Sequence, residues 1–369
     1  MPDAWSLDYI RSHWRKLEAE STDHSIFQSW DWIECWLETA KKFVRPVLFK
    51  NDSNKVVGIC FVGFSKSYDY KFFGFHTIYP FLTGKLAIDV ISSEYNAVLF
   101  LPEYRHIVHE TLIDFLLNNK KTSKYSRILL QRVPCKYLEN YKKIADENDC
   151  CFDLYKTEPS AAVDLQHLRD DNLECNHYFS KSLRYTIRRS TKEYEKQFGS
   201  IQFERADNVT QAQNWFQELG KLNQIRFQSK NQKSAWDYPN LVQMNRVFIN
   251  RQFSSGNVEI VRLRAGTTTI GYLYNFVYRG VVYFYMSGIR YEKSNLFAPG
   301  LMIHEHTIYD HFNNKNTIYD FMAGDQSYKY RLGKHSLDMH HFTITKKGFM
   351  LKCVHLLSCL KKIFKKRVL

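Results

Sequence analysis

Runs of apolar, β-branched and aromatic residues alternate with helical periodicities through the first half of the chain. Two such runs flank an Asn/Asp/Ser turn at 51–54, which predicts a pair of strands. Apolar positions spaced three and four residues apart predict helices among the strands. The predicted strands cover 44–50, 56–65, 70–75 and 127–133, with short extended pieces at 152–155 and 162–165. The predicted helices cover 25–43 and 137–148, and a third lies within 97–118 and starts near Pro102.

The second half repeats this order loosely and contains a clearer strand pattern. Three apolar runs are joined by short turns at Gly266 and at Arg279 and Gly280, which predicts an antiparallel meander. The predicted strands cover 201–205, 258–265, 268–278, 281–289, 317–322 and 342–346, and the predicted helices cover 177–198, 209–227, 238–254 and 301–312.

Two halves of similar order predict a duplicated unit with mixed helices and strands. The predicted fold is α+β (mixed α/β), with a mostly antiparallel sheet flanked by helices in each half. The chain's 369 residues suffice for about two domains. We place the boundary between 157 and 176 and assign 1–165 and 166–345 to the two domains, with 346–369 as a terminal helix.

Positive charge is concentrated in two segments. Of the formal net charge of +14, residues 346–369 supply eight Lys or Arg without an acid, and 180–199 supply six against two Glu. Such basic segments favour anionic partners, namely a nucleotide, a nucleic acid or an anionic membrane. The eight cysteines form no CxxC pair, and no signal peptide or spanning segment is evident, so we expect a cytoplasmic protein.

The C-terminal segment 346–369 has an apolar stripe opposite its lysines. Phe349, Cys353, Leu356, Leu360 and Ile363 recur at helical spacing. This pattern is typical of an interfacial helix, which would place the protein at the inner, anionic face of a membrane. The alternative is a terminal helix that packs on its own domain.

A strand, a loop and a helix start follow one another over 283–301. Pro299 suits the first turn of a helix, Gly300 admits close approach of a ligand, and free N–H groups at such an end attract phosphate. Arg290 offers a charge-assisted bond to the same anion. The alternative is a structural connection, since strand–loop–helix connections with Pro and Gly are also common where no ligand binds.

The segment 319–333 carries a second group of candidate residues. A short apolar strand bears Asp320 and runs into a turn at Gly324 and Asp325, followed by Tyr328 and Lys329. A carboxylate at a strand end can accept a proton, a phenol can donate one, and a lysine can hold an anion. The alternative is a capped turn with a solvated lysine.

The basic helix predicted at 177–198 and the histidines were also considered as ligand-binding residues. Arg184 and Arg188 are i,i+4 neighbours and share a face, where they can bind an anion or simply face solvent. His304 and His306 flank Glu305 without the HExxH spacing, so no metal is expected.

These motifs together resemble the family of tandem N-acetyltransferase-like proteins named for the CelD cellulose-biosynthesis protein, which is similar in fold to the FemABX peptidyltransferases. The resemblance rests on LRYTIRR at 183–189, SGIR at 287–290, APGL at 298–301 and DFMAGDQSYK at 320–329. It covers nearly the whole chain, with weaker matches at 27–32 and 130–134. The loop lacks the Gln/Arg-x-x-Gly-x-Gly/Ala form of typical acetyltransferases.

The resemblance implies two GNAT-like domains, the first degenerate and the second binding acetyl-CoA or another acyl-CoA. It places the pyrophosphate at Arg290 and at Pro299, Gly300 and Leu301, and the pantetheine arm at Met286, Ser287 and Gly288. The resemblance supplies no catalytic residue, but attack of an amine on a thioester needs a base and an acid. We expect Asp320 or Asp325 to be the base or to orient the amine, and Tyr328 to be the acid. Lys329, Arg184 and Arg188 are assigned to substrate binding.

Three hypotheses follow. The first is acyl transfer from acyl-CoA to a primary amine, such as an amino sugar of a surface polysaccharide precursor. The second is a FemABX-type transferase that uses aminoacyl-tRNA. The third is a non-catalytic basic module that contacts an anionic membrane through 346–369.

Overall fold

A computed structural model describes residues 5–69, 73–90, 93–120, 122, 124–171 and 175–348. The chain divides into two compact units. The first comprises Met1–Thr157 together with Asp338–Leu369, and the second comprises Glu158–Leu337. The predicted second domain covers 166–345, whereas residues 338–345 belong to the first unit.

Helices and strands are interspersed along the chain. Up to the unit boundary they are α1 (Leu7–Glu20), α2 (Trp30–Ala40), β1 (Val44–Lys50), β2 (Val56–Asp69), β3 (Phe73–Pro80), α3 (Leu86–Asp89), β4 (Leu99–Phe100), α4 (Arg105–Asn118), β5 (Arg127–Pro134), α5 (Leu138–Glu147) and β6 (Cys150–Asp164), which crosses it. They continue with α6 (Leu165–Asp170), α7 (Cys175–Tyr178), α8 (Lys181–Phe198), β7 (Ile201–Arg205), α9 (Val209–Gln228), α10 (Pro239–Gln252), β8 (Val258–Ala265), β9 (Thr268–Tyr278), β10 (Val281–Ile289), α11 (Pro299–Asn313), β11 (Ile318–Ala323), α12 (Ser327–Leu332) and β12 (Lys334–Lys346).

The first unit is built on strands in the order β1-β2-β3-β5-β12, with β4 added to β2. β3 and β5 are parallel, and they pair at two positions, Thr77 with Arg127 and Ile78 with Ile128. Beyond these positions Asn96 binds β5, because its Nδ2 donates to Gln131 O at 2.8 Å and its backbone N donates to Arg132 O at 2.9 Å. The backbone of β5 is thus occupied where its pairing with β3 ends.

The described strands of the second unit lie in the order β6-β11-β10-β9-β8-β7, in which β10 and β11 are parallel and the other neighbours are antiparallel. Left-handed backbone at Gly266 (φ 54°) and Gly280 (φ 79°) closes the two turns of the β8-β9-β10 meander. Helices α9 and α10 cover one face, where Phe216 packs on Tyr274 and Phe248 on Phe276. Helix α11 covers the other face.

The structure confirms the predicted mixture of mostly antiparallel sheets with flanking helices, and the meander strands have the predicted limits. Several elements differ from the prediction, three of them substantially. Strand β12 begins at Lys334 instead of 342, β6 is one strand instead of two pieces, and α1 was not predicted. Part of the strand predicted over 70–75 and most of the helix predicted over 346–369 lie outside the described residues. Within the described ranges, none of the helices combines the length and apolar character that crossing a membrane requires.

Candidate active site

The second unit has an opening between its two parallel strands. β10 and β11 pair at three positions, the last being Tyr283 with Asp320. Beyond it β10 stays paired with β9 through a register shift between Phe284 and Met286, and β11 pairs irregularly with β6. Because each strand follows its other neighbour, the carboxyl ends of β10 and β11 separate. The predicted site residues of 286–290 and 320–329 lie around this separation.

On the β10 side, helix α9 is held tightly against the strand. Asn223 Nδ2 donates to Ser287 O at 2.9 Å, and Ser234 Oγ donates to Asn223 Oδ1 at 2.9 Å. A Cβ on Gly288 would lie 2.7 Å from Leu219 Cα. Gly288 therefore serves the contact between helix and strand, while Ser287 and the neighbouring Met286 are half-buried.

On the β11 side, Asp320 and Lys329 hold the irregular end of the strand. Asp320 is 8% exposed, and its Oδ1 accepts from Met322 N at 2.7 Å, where the backbone is left-handed (φ 60°). The ammonium of Lys329 is buried and donates to Met322 O at 3.2 Å and Ala323 O at 2.7 Å. The sequence predicted that Lys329 is either solvated or binds substrate. In the structure Lys329 is buried instead of solvated, and its ammonium donates hydrogen bonds to the backbone at the end of β11.

Tyr328 extends from α12 over a buried histidine. Its ring stacks on His304 with a centroid distance of 5.5 Å and an interplanar angle of 24°. His304 is 2% exposed, meets Phe284 edge-on at 4.5 Å, and its Nδ1 is 2.9 Å from Tyr319 Oη. Burial, and then the charge of Lys329, lower the pKa of His304 to about 3. The histidine is therefore a neutral support for Tyr328 at neutral pH.

Tyr328 itself is suited to keep its proton. Burial raises the pKa of its phenol well above the ordinary value, the Arg226 guanidinium opposes this shift, and Tyr291 adds to it. A phenol in such surroundings can donate a proton at neutral pH but is a poor base.

The predicted catalytic residues do not lie on one face of the sheet. Tyr319 and Phe321 contact His304 on the α11 face. Asp320 lies between them in the strand and therefore points to the opposite face, beside Tyr283. Asp325 is exposed in the turn before α12. The structure thus separates Asp320 from Tyr328.

The loop from β10 to α11 is tied down by helix α8. Ser190 Oγ accepts from Ala298 N at 2.8 Å and donates to Met302 Sδ at 3.0 Å, and an Arg189 guanidinium nitrogen donates to Asn295 O at 3.0 Å. At the helix start Pro299 is buried and Leu301 joins the core, whereas a Cβ on Gly300 would meet only Tyr291 Oη, at 4.0 Å. The start of α11 is therefore fixed in place and open at Gly300.

The arginines predicted to bind ligand have different surroundings. Arg290 pairs with Glu292 at 2.9 Å and lies over the Phe198 ring. On α8, Arg184 is half-buried and Arg188 is exposed. Arg226, which the sequence pattern did not suggest, lies 5.0 Å from the Tyr291 ring centroid at the end of α9.

A separate polar cluster lies on the α11 face of the sheet. Ligand atoms of Glu259, Asp310 and His311 lie within 4.8 Å of one another, which is the distance expected of a metal site. Arg205 pairs with both carboxylates, and His311 Nε2 is 2.9 Å from Glu259 Oε2. Although burial opposes it, the charges of His311 and Arg205 hold the pKa of Glu259 below its usual value. The guanidinium supplies the positive charge that a cation would bring.

Replacing Ser190 by alanine is expected to loosen the start of α11. The substitution leaves the Ala298 N–H without its partner, which costs about 1–3 kcal/mol for a buried group. Hydrogen exchange measured by mass spectrometry should be faster in peptides spanning 290–302, and urea unfolding of the second unit should begin at lower concentration. The control is Thr191→Ala, which removes only a bond to Ile187 O within α8. Equal exchange in both variants would contradict the role of Ser190.

Comparisons with known proteins identify the domain that contains this opening. Residues 181–330 match the family model described as "Acetyltransferase (GNAT) domain". A search of curated proteins gives no match for the chain. The matched segment lies within the second unit, includes β10 and β11, and is similar to a GNAT acetyltransferase domain.

Solved structures extend this likeness beyond the matched domain. FemX has a TM-score of 0.59 and 10% identity, covering 93% of this chain and 97% of its own. For a conserved protein of unknown function from Bacteroides thetaiotaomicron VPI-5482, the TM-score is 0.55 and the identity 8%, and the match covers 91% of this chain and 97% of that protein. For L-PGS from Bacillus licheniformis, the TM-score is 0.53 and the identity 11%, and the match covers 94% of this chain and 96% of that protein. At these identities the likeness shows the fold alone, and it extends over both units. The finer resemblance to CelD-like proteins stays a prediction.

Proposed function

We propose that the second unit is an acyl-CoA-dependent N-acyltransferase that acylates a primary amine. The observation that carries this proposal is the separation of β10 and β11 within the GNAT domain, beside the fixed start of α11. A bound acyl-CoA would supply a thioester, whose acyl group passes to the amine. An amino sugar of a surface polysaccharide or its precursor is the acceptor class that we favour.

The residues around the opening fit an acyl-CoA in two respects. The start of α11 offers backbone N–H groups, and the space beside Gly300 allows a phosphate to approach them. On β10, the half-buried segment at Met286 and Ser287 lies along the side of the opening, where an extended chain can bind. Residues 286–288 and 299–301 are therefore assigned to the donor.

Tyr328 is assigned the acid role in this proposal. When the amine nitrogen bonds to the acyl carbon, the carbon–sulfur bond breaks, and Tyr328 can give its phenolic proton to the departing thiolate. Lys329 holds the β11 end beneath this position through the carbonyls of Met322 and Ala323. Its positive charge, in a buried setting, also favours negative charge that develops nearby.

Asp320 and Asp325 are assigned to the acceptor. Asp320 faces the α9 and α10 side, where its carboxylate already accepts from Met322 N, and this geometry favours orientation of the amine over proton removal. The exposed Asp325 lies near the rim of the opening and can take the amine proton through solvent. Arg184 and Arg188 are kept as contacts for an anionic portion of the acceptor.

The first unit is proposed to be a degenerate copy without a donor site. Its parallel strands also part after a short pairing, but Asn96 fills the backbone positions of β5 beyond it. Gln28 Nε2 fixes the neighbouring Tyr95 O at 2.7 Å. An extended ligand would have to displace this segment.

The test is an acyl-transfer assay with acetyl-CoA and longer acyl-CoAs against a panel of amino sugars and other primary amines, with calorimetric titration of CoA. We expect binding of one CoA per chain and acylation of one acceptor class. Absence of binding by every acyl-CoA at millimolar concentration would refute the proposal.

A FemABX-type reaction with aminoacyl-tRNA is the second candidate, because α8 exposes a basic and aromatic face. Arg188 is exposed, and Tyr185 beside it is 65% exposed. Arginines and an exposed ring on one helix suit a nucleic acid backbone and its bases. This candidate predicts tRNA binding that weakens steeply with salt, and loss of affinity in Arg188→Gln. A response to tRNA that is flat with salt would exclude it.

A further inference from the structure

Arg226 occupies a specific place at the opening between β10 and β11. It lies in the last turn of α9, one turn beyond Asn223, whose amide holds Ser287 O. Its guanidinium carbon is 5.0 Å from the centroid of the Tyr291 ring, and the Tyr291 hydroxyl is the nearest atom to the open position at Gly300. Arg226, Tyr291 and the start of α11 therefore line one continuous rim.

Other cations near this rim already have strong partners. Arg290 is paired with Glu292, Arg189 donates to Asn295 O, and Lys329 donates to two strand carbonyls. Among the described residues, no carboxylate pairs with Arg226, although its side chain is half-buried. Its guanidinium retains the capacity to bind an anion.

The contact with Tyr291 does not replace such an anion. A cation over a partly exposed ring gains little interaction energy. A guanidinium that binds phosphate through two parallel hydrogen bonds gains more. The Tyr291 ring fixes the plane of the guanidinium beforehand, so less freedom is lost when the anion binds. A phosphate between Arg226 and the N–H groups of α11 would meet positive charge on both sides.

We propose that Arg226, oriented by Tyr291, binds the diphosphate of the acyl donor and takes the part that the sequence pattern assigned to Arg290. This inference rests on the proposed function, since it takes CoA as the donor. It explains how the site manages without the Gln/Arg-x-x-Gly-x-Gly/Ala loop, because the cation comes from α9 instead of the loop before α11.

The test compares ligands that differ in their phosphates. CoA, dephospho-CoA and pantetheine are titrated into the full-length wild type and into Arg226→Gln, by calorimetry for the first two and ligand-observed NMR for pantetheine. We expect Arg226→Gln to weaken CoA and dephospho-CoA alike, by about 10- to 100-fold. Pantetheine should bind both proteins equally, and Arg226→Lys should recover part of the loss.

Controls separate this inference from the proposed function. Arg246→Gln removes the same charge from the exposed side of α10 and should bind CoA like the wild type. Wild-type binding of CoA with no change in Arg226→Gln overturns the role of Arg226 alone. A loss confined to CoA moves the contact to the 3′-phosphate, and an equal loss for pantetheine means a distorted site; both overturn the diphosphate assignment. A wild type that binds no CoA overturns the proposed function with it.

Discussion

Replacing Tyr328 by phenylalanine is expected to lower kcat by about 10²- to 10⁴-fold, the usual contribution of a general acid. Donor affinity should change little, because the variant keeps the ring and loses only the hydroxyl. The stacking on His304 at 5.5 Å and the contact with Phe321 at 6.3 Å involve the ring alone. The loss should therefore appear in kcat and much less in KM.

The pH profile gives a second check on Tyr328. Burial raises the pKa of its phenol, so the protonated, neutral form is favoured in the folded protein. The group should stay protonated below its ordinary pKa of about 10, and its ionisation should produce no loss of rate or stability until the pH exceeds that value. If the rate falls as the pH rises from 7 towards 10, the ionisation of another group must be the cause.

Tyr330→Phe is the matched control. Tyr330 lies two residues further along α12 and is 37% exposed. The substitution removes the same hydroxyl from the same helix and should leave kcat within a small factor of the wild type. If Tyr328→Phe retained wild-type kcat as well, the acid role of Tyr328 would be disproved, and the thiolate would have to take its proton from solvent.

Local patterns were sufficient to predict the β8-β9-β10 meander of the second unit. The strands β8, β9 and β10 are rich in apolar and aromatic residues and are separated by residues that adopt left-handed backbone, so both their limits and their pairing follow from adjacent residues. Elements whose formation depends on distant partners were less predictable. Strand β12 begins with Lys334 and His335, which are polar and exposed, and it extends further than its apolar residues because it pairs with other strands.

Helices of mixed composition were missed for a related reason. α1 carries many charges, and only three of its side chains, Ile10, Trp14 and Leu17, are buried. The Trp14 ring stacks on Phe61 at 5.5 Å, a partner that the sequence does not reveal. Tertiary packing, more than propensity, stabilises such a helix. The six-residue α12 was likewise not predicted, since so short a helix has no clear periodicity.

The residues of the candidate site also divide into those that adjacent sequence predicts and those that depend on distant partners. The segments at 286–290, 298–301 and 320–329 were found because each is contiguous and carries chemical groups at a strand or helix end. His304, Asn223 and Arg226 were not found, because each reaches the site only through α9 or α11. A search for polar residues on the predicted apolar faces of those helices would have found His304 and Asn223, which are 2% and 8% exposed. It would not have found the half-buried Arg226, whose position depends on Tyr291.

Replacing Gly288 by alanine is expected to separate α9 from β10. An added Cβ would lie 2.7 Å from Leu219 Cα and 2.8 Å from Leu219 C, so the helix backbone itself must move. Overpacking of this kind costs about 1–3 kcal/mol or more. Because Asn223 and Arg226 move with α9, a displacement near 1 Å would lower kcat/KM by about 10²-fold.

Thermal unfolding, CoA titration and initial rates of the Gly288→Ala protein would measure these effects together. Gly300→Ala is the stability control, since its Cβ enters open space at the start of α11 and alanine is the better helix former. That variant should be at least as stable as the wild type. The two glycines thus differ in what they accommodate: Gly288 admits a neighbouring helix, and Gly300 leaves space where a ligand is proposed to bind. If Gly288→Ala kept both its stability and its CoA affinity, α9 would not be fixed to β10 as described, and the placement of Arg226 at the opening would lose its structural basis.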